Sequence, residues 1–377
     1  MMKNPYSVRR LLLLVVPVFL LFSFHQDDSP SLKGLFEESF YIGAALNYRE
    51  VNGTESRALP VLQKHFSSIS PENGLKWVRV HPQPDLYDFE FGDQYVQLGE
   101  SLDAFVIGHT LAWHQQVPDW VFEQEDGTPK TKAQLLATLE DHIENVVGRY
   151  RGKIQGWDVV NEAIEDNGEF RKSKWFEIAG VDFIKTAFRK ANEVDPDAEL
   201  YYNDYNVFNP KKRAAILALA KELRAEGMRI DGIGMQGHYM LDRPSVAEIE
   251  KGIVEIHEAG FKVMITELDV DVLKRPREAI GADLAKSYEF QEEYNPYSEG
   301  LPKSVEQELT ARYKEIFEVY KKHSDKISRV TFWGIHDGAS WLNNWPVRGR
   351  TNYPLVFDRD INPKTQIFND LEELMKK

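Results

Sequence analysis

Eight short apolar runs, each closed by polar residues and separated from the next by a longer amphipathic stretch, constrain this chain more than any other feature. They fall at 41–46, 66–70, 104–110, 154–160, 199–203, 232–237, 262–266 and 328–334. Runs of this length, rich in β-branched and aromatic residues, read as buried strands. Between them apolar residues recur at steps of three and four, most regularly over 132–150, 181–194, 210–226, 246–259 and 305–323, which is the spacing of one helix face. Pro210 suits a first helical turn, and Gly227 and Gly260 suit helix ends. Strands alternating with helices predict a parallel sheet, and eight such units predict closure into a single (β/α)8 TIM barrel of the α/β class. Past residue 30 there is no linker-like or low-complexity tract. One domain over 38–377 is therefore expected, a length that α/β barrels routinely reach as a single unit.

The N-terminus reads differently. Lys3, Arg9 and Arg10 precede an apolar segment, 11–24, interrupted by Pro17. It is shorter than the roughly 20 residues needed to span a bilayer, so residues 1–26 are predicted to be a cleaved signal peptide rather than an anchor. The mature protein is then expected to be exported, secreted or periplasmic, with no stable membrane insertion. There is no cysteine, so an exported fold has to stand on its core without disulfides. With 46 basic against 60 acidic residues, the net charge of -14 repels polyphosphates and excludes nucleic acid as a partner. A monomer is expected. The 8 Trp, 16 Tyr and 21 Phe are mostly core, but exposed rings also make flat stacking surfaces for sugars.

In a parallel barrel the chemistry sits at the C-terminal ends of the strands. Those ends offer Glu72, Asn73 and Lys76 after the second run; His109, Trp113, His114 and Gln116 after the third; and Asn161 and Glu162 after the fourth. The fifth gives Asn203, Asp204, Tyr205 and Asn206, the sixth Gln236 and His238, the seventh Glu267 and Asp269. Trp333, His336 and Asp337 close the eighth, with Trp341 and Trp345 beyond. These are hydrogen-bonding and stacking groups suited to a hydroxylated ring. Glu162 and Glu267, on the fourth and seventh strands, are the pair that glycosidic cleavage needs, one acid to protonate the leaving oxygen and one carboxylate facing the anomeric carbon. A partly apolar pocket near Trp157 is expected to keep Glu162 protonated. Glu267 is expected to be held ionised by His238, itself oriented by Asp269.

Two other functions fit parts of this pattern. His109, His114, His238 and Asp269 could be metal ligands, though such a site leaves the glutamate pair unexplained; no metal and no cofactor are expected. A non-catalytic oligosaccharide-binding barrel would keep the aromatic rings and tolerate loss of the carboxylates. The 272–302 stretch, with Tyr288, Phe290, Tyr294, Pro296 and Tyr297, is expected to wall one side of the cleft.

From about Phe40 to Asn369 the chain resembles glycoside hydrolase family ten, the retaining endo-β-1,4-xylanases. The matching blocks are Ser-Pro-Glu-Asn-Gly-Leu-Lys-Trp from Ser70, Gly-His-Thr-Leu-Ala-Trp-His from Gly108, and Trp-Asp-Val-Val-Asn-Glu-Ala from Trp157. They continue with Tyr-Tyr-Asn-Asp-Tyr-Asn from Tyr201, Gly-Met-Gln-Gly-His from Gly234, Ile-Thr-Glu-Leu-Asp from Ile265, and the Trp333 and Trp341 region. The resemblance implies that Glu162 is the acid/base, Glu267 the nucleophile, and xylan or its oligosaccharides the substrate, with a β-glucanase or aryl-glycosidase on the same barrel as the alternative. It implies that Asn161 meets the sugar 2-hydroxyl at the cleavage point and that His109, Trp113, Gln236 and His238 line that subsite. It further implies that Glu72, Asn73 and Lys76 hold sugars on the non-reducing side between Trp333 and Trp341, and that Tyr205 and Asn206 lie on the leaving-group side. Val78 stands where many members carry Glu.

Overall fold

The strands that form are β1 Tyr41–Leu46, β2 Ser68–Pro71, β3 Phe105–Ala112, β4 Gly156–Asn161, β5 Glu199–Asp204, β6 Gly232–Met235, β7 Lys262–Asp271 and β8 Ile327–Phe332. The computed structural model describes residues 30–276 and 288–376. The predicted signal at 1–26 and the middle of the 272–302 stretch lie outside the described residues. Each strand pairs in parallel with the next, and β8 pairs with β1, closing the barrel. Among the described residues, the helices of eight residues or more are α1 Ala58–His65, α2 Glu90–Ser101, α3 Lys132–Arg149, α4 Asp182–Val194, α5 Pro210–Ala225, α6 Val246–Glu258, α7 Lys303–Lys322 and α8 Thr365–Lys376. One follows each strand, which is the predicted (β/α)8 architecture.

Local chemistry explains where these helices begin. Thr131 with Gln134 and Ser245 with Glu248 make reciprocal capping boxes at the starts of α3 and α6. Asn209 caps α5 and Pro210 takes its first turn. On α4 the buried residues Phe183, Ile184, Ala187, Phe188 and Ala191 form one stripe, and that stripe lies against the barrel and α3.

Two strands depart from expectation. The sixth run stops at Met235 because Gly237 turns left-handed, at φ 84°. The chain then resumes as a short strand, His238–Met240, which pairs with Asp269–Asp271. That extra partner lengthens β7 beyond the predicted 262–266.

Inside the barrel, Ile107, Tyr201 and Met264 of the alternate strands β3, β5 and β7 form an apolar layer. Side chains two residues further along a strand return to the same face. His109, Asn203 and Thr266 occupy those positions, so an apolar floor passes directly into a polar layer. The site stands on it.

Candidate active site

Both glutamates are aimed by irregularities in their strands. On β7, Ile265 pairs with Val330 but Leu268 pairs with Phe332, so one extra residue is inserted between them. On the other side, Met235 and His238 face Ile265 and Asp269, which gives the same count. A bulge of this kind re-aims a side chain, and here it turns Glu267 toward Asn203, the residue that Thr266 also contacts. On β4 the register against β5 shifts between Asp158 and Val160. Glu162 then sits just past the strand with φ 58°, a left-handed conformation rare for a non-glycine residue and associated with functional strain.

The Glu162 carboxylate receives the Trp113 indole N–H on Oε2 and the Gln236 amide on Oε1, both at 2.8 Å. The Asn161 amide lies 3.3 Å from Oε1, and His114 Nδ1 stands 4.0 Å from Oε2. Trp113 and Gln236 are hydrogen-bond donors, so the expected apolar pocket is not what encloses Glu162. Trp157 packs instead against Gly108, where a Cβ would come within 2.1 Å of its ring.

Glu267 accepts from Asn203 Nδ2 at 2.7 Å and from His238 Nε2 at 3.2 Å. His238 Nδ1 faces Asp269 Oδ1 at 3.0 Å, and the Trp341 indole donates to Asp269 Oδ2 at 2.7 Å. The expected Glu267–His238–Asp269 chain therefore exists and extends one step further, to Trp341. Burial pushes His238 down, but Asp269 and Glu267 outweigh it and raise its pKa to about 9. Burial pushes the Glu267 carboxyl up, yet the His238 hydrogen bond, the charges of His109 and His238, and the Asn203 amide hold it below the ordinary glutamate value.

The remaining predicted residues divide into two groups. Lys76, His109, Trp113, Asn161, Gln236, His238, Trp333 and Trp341 line one pocket with both glutamates. His109 is fixed by Asp158 at 2.9 Å, and the Trp333 ring meets it edge-on, 5.4 Å between centroids. Glu72, Asn73 and Gln116 stand beside that pocket. Lys76 donates to Asn73 Oδ1 at 3.0 Å, Gln116 reaches the same oxygen at 3.3 Å, and the Lys76 ammonium lies 4.7 Å over the Trp113 ring. Burial pushes Lys76 down against the pull of Glu267, Glu72 and Glu162, and it pushes Glu72 up against Lys76 and Asn73.

Tyr205 and Asn206 lie toward the loop that follows β4. The Tyr205 hydroxyl accepts from Arg171 at 2.6 Å, and the Asn206 amide donates to Asp166 at 3.0 Å. His336 and Asp337 belong to the loop after β8, where Asp337 accepts the Leu355 N–H and pairs with Lys364, each at 2.8 Å. Among the described residues, no group of three or more His, Asp or Glu is arranged to hold a metal.

Sequence reading missed Asp158 and Arg171. Asp158 was detectable as a charge inside a strand buried on both faces, a place where only a paired carboxylate is tolerated. Arg171 lies in a loop and carries no such signal.

A parallel barrel whose C-terminal mouth holds two buried carboxylates, each meeting directed donors, has the paired groups that glycoside hydrolysis needs. The sequence model of glycosyl hydrolase family 10 matches residues 31–372, and the chain belongs to that family. It is 44% identical over 338 residues to endo-1,4-beta-xylanase A of Xylanibacter ruminicola, covering 90% of this chain and 92% of the relative. It is 40% identical to the beta-1,4-xylanase of Dictyoglomus thermophilum, with 97% of each covered. Among solved structures, a GH10 endoxylanase retrieved from sugarcane soil metagenome superposes with a TM-score of 0.87 at 44% identity, covering 92% of this chain and 99% of its own. A mutant structure in complex with xylotriose superposes at 0.80 and 35% identity, covering 90% and 99%.

Proposed function

We propose that this protein is an endo-1,4-β-xylanase that hydrolyses internal β-1,4-xylosidic bonds with retention. The observation that carries the reading is the unequal equipment of the two carboxylates at one barrel mouth. Glu267 is held ionised by His238 and Asn203, as a nucleophile must be. Glu162 is held at a turn beside the leaving-group side.

In the first step Glu267 Oε attacks the anomeric carbon while Glu162 gives its proton to the departing glycosidic oxygen. One C–O bond forms, one breaks, and a covalent glycosyl-enzyme results. In the second step Glu162 takes a proton from water as the water oxygen attacks the same carbon. Glu267 leaves as a carboxylate, and both groups return to their starting states.

Asn161 reaches the 2-hydroxyl, and His109, Trp113, Gln236 and His238 hold the sugar at the cleavage point. Glu72, Asn73 and Lys76 bind the next sugars, between Trp333 and Trp341. Tyr205 and Asn206 hold the leaving-group sugar. The relatives' names and the xylotriose complex support xylo-oligosaccharides as substrate. Steric exclusion of a hydroxymethyl group by Trp333 and Trp341 would favour xylose over glucose. Export after cleavage near residue 26 belongs to the same proposal and is tested by N-terminal sequencing of the mature protein; a monomer, also proposed, is tested by its mass in light scattering.

The test of function is the product profile on xylan, with mixed-linkage β-glucan and carboxymethylcellulose in parallel. A ladder of short xylo-oligosaccharides from xylan alone is expected. Cleavage of a glucan without release from xylan would overturn the substrate assignment.

A further inference from the structure

The left-handed backbone at Glu162 leaves a peptide group to be accounted for. Its N–H still reaches the Asn203 carbonyl at 2.9 Å, and the following N–H, of Ala163, donates to the Tyr202 hydroxyl at 3.0 Å. The Glu162 carbonyl is turned out of the strand ladder, and a buried acceptor without a partner is costly. Its partner is Arg171 Nε, at 2.8 Å. The same guanidinium donates from Nη2 to the Tyr205 hydroxyl at 2.6 Å and pairs through Nη1 with Glu165 at 3.0 Å. One planar fork thus joins the backbone of Glu162 to the ring on the leaving-group side.

Arg171 is itself well fixed. Its N–H donates to the Ala163 carbonyl at 2.8 Å, closing a small hairpin in which Glu165 N–H meets the Glu169 carbonyl at 2.8 Å. The turn of that hairpin is bound to the next loop through Asp166, which takes the Asn206 amide at 3.0 Å and the Lys212 ammonium at 3.4 Å. Lys212, fully buried, pairs with Asp204 at 2.7 Å and lies 3.5 Å over the Tyr205 ring. Tyr205 is therefore held by one cation at its hydroxyl and by another over its ring. The guanidinium fork is the one part of this network that also touches the backbone of Glu162.

We infer that Arg171 is a positioning residue that couples occupancy of the leaving-group subsite at Tyr205 to the aim of the Glu162 carboxyl. This rests on the assignment of Glu162 as acid/base made above. A sugar docked against Tyr205 presses on the hydroxyl that Arg171 holds. The guanidinium transmits that constraint to the carbonyl of Glu162, so its proton is delivered to a leaving oxygen whose own sugar is seated. The coupling acts on proton delivery and leaves Glu267 and the non-reducing subsites untouched.

The test compares Arg171→Met and Arg171→Lys with the wild type on two substrates. Xylotetraose has a sugar leaving group that needs a proton and occupies the Tyr205 side. A dinitrophenyl β-xylobioside has a leaving group that departs unprotonated and presents no sugar there. Arg171→Met is expected to lower kcat/KM on xylotetraose on the order of 10- to 100-fold, mainly through kcat, while staying within about twofold on the aryl substrate. Arg171→Lys, keeping the charge and one donor, is expected to recover part of the loss. Parallel losses on both substrates, or no loss on xylotetraose, overturn the inference. If Arg171→Met does not fold, Arg171→Lys is judged by the same comparison: selective loss on xylotetraose supports the inference, and parallel or absent loss overturns it. Glu162→Ala run alongside separates the two levels. Selective loss there but not at Arg171 removes only the coupling, whereas full activity of Glu162→Ala removes the acid/base assignment itself.

Discussion

His238 lies between two carboxylates, and its hydrogen bond, ahead of the charge of His109, is the largest influence keeping Glu267 ionised. Its folded pKa of about 9 lies above the ordinary 6.5. The stability it contributes is therefore complete below about pH 6.5 and is lost as pH rises through about 9. Thermal melts of the wild type should fall through that window, and those of His238→Asn should fall less. Glu267 has the opposite sign. Its depressed pKa means that losing the His238 hydrogen bond and charge raises it, so the acid limb of kcat/KM in His238→Asn should move to higher pH. An unmoved acid limb would show that His238 does not hold Glu267 ionised. Direct truncation is blunter. Glu267→Ala and Glu162→Ala should each lower turnover on xylan by at least about a hundredfold, with the Glu162 loss milder on substrates carrying good leaving groups.

At the level of strands, the aim of the glutamates depends on backbones that approach closely. A Cβ on Gly234 would stand 2.3 Å from Asn203 Oδ1, and Asn203 is the amide that donates to Glu267 at 2.7 Å. Gly234→Ala should therefore push Asn203 off Glu267 and lower kcat about tenfold or more, with a smaller effect on KM, measured on xylotetraose. Unchanged kcat would mean that Asn203 has room to move without disturbing Glu267. The strands themselves were legible in sequence, because two-sided burial makes them continuous apolar runs closed by polar residues. The glutamates were legible for the same reason. The bulge at Thr266–Glu267, the left-handed turn at Glu162 and the break at Gly237 were not, since register is set by the neighbouring strand and leaves no local pattern. The expectation of an apolar pocket around Glu162 failed similarly. Trp157 is close in sequence, but its ring packs against Gly108, and Trp113 and Gln236, which donate to Glu162, stand just past the ends of β3 and β6.

Over the whole molecule, the described residues that follow β7 are tied to the loop after β8. Tyr288 N–H donates to the Pro346 carbonyl at 3.0 Å, and the Tyr353 hydroxyl donates to the Tyr297 carbonyl at 2.8 Å. Arg350, buried, donates to the carbonyls of Leu342, Trp345 and Lys274 at 3.0, 2.5 and 3.3 Å. That arrangement fixes the segment bearing Trp341, which is stacked on Trp345 at 4.8 Å and joined to Asp269. Arg350→Met leaves those carbonyls unpaired, while Asp271 keeps Arg275 at 2.6 Å, and should cost about 1–3 kcal/mol in denaturant unfolding. A loss below 1 kcal/mol would contradict the role given to it. Because the chemistry needs only carboxylates, prolonged chelation with EDTA should leave xylan hydrolysis unchanged, and a loss restored by a divalent metal would favour the metal-dependent alternative. The most direct test of the two-glutamate account is mass spectrometry of the enzyme after reaction with an activated 2-deoxy-2-fluoro-β-xylobioside, which slows hydrolysis of the glycosyl-enzyme. The account predicts one fluoroxylobiosyl group, on the peptide containing Glu267. A label on any other residue, or product formation with inverted configuration and no adduct, would contradict it.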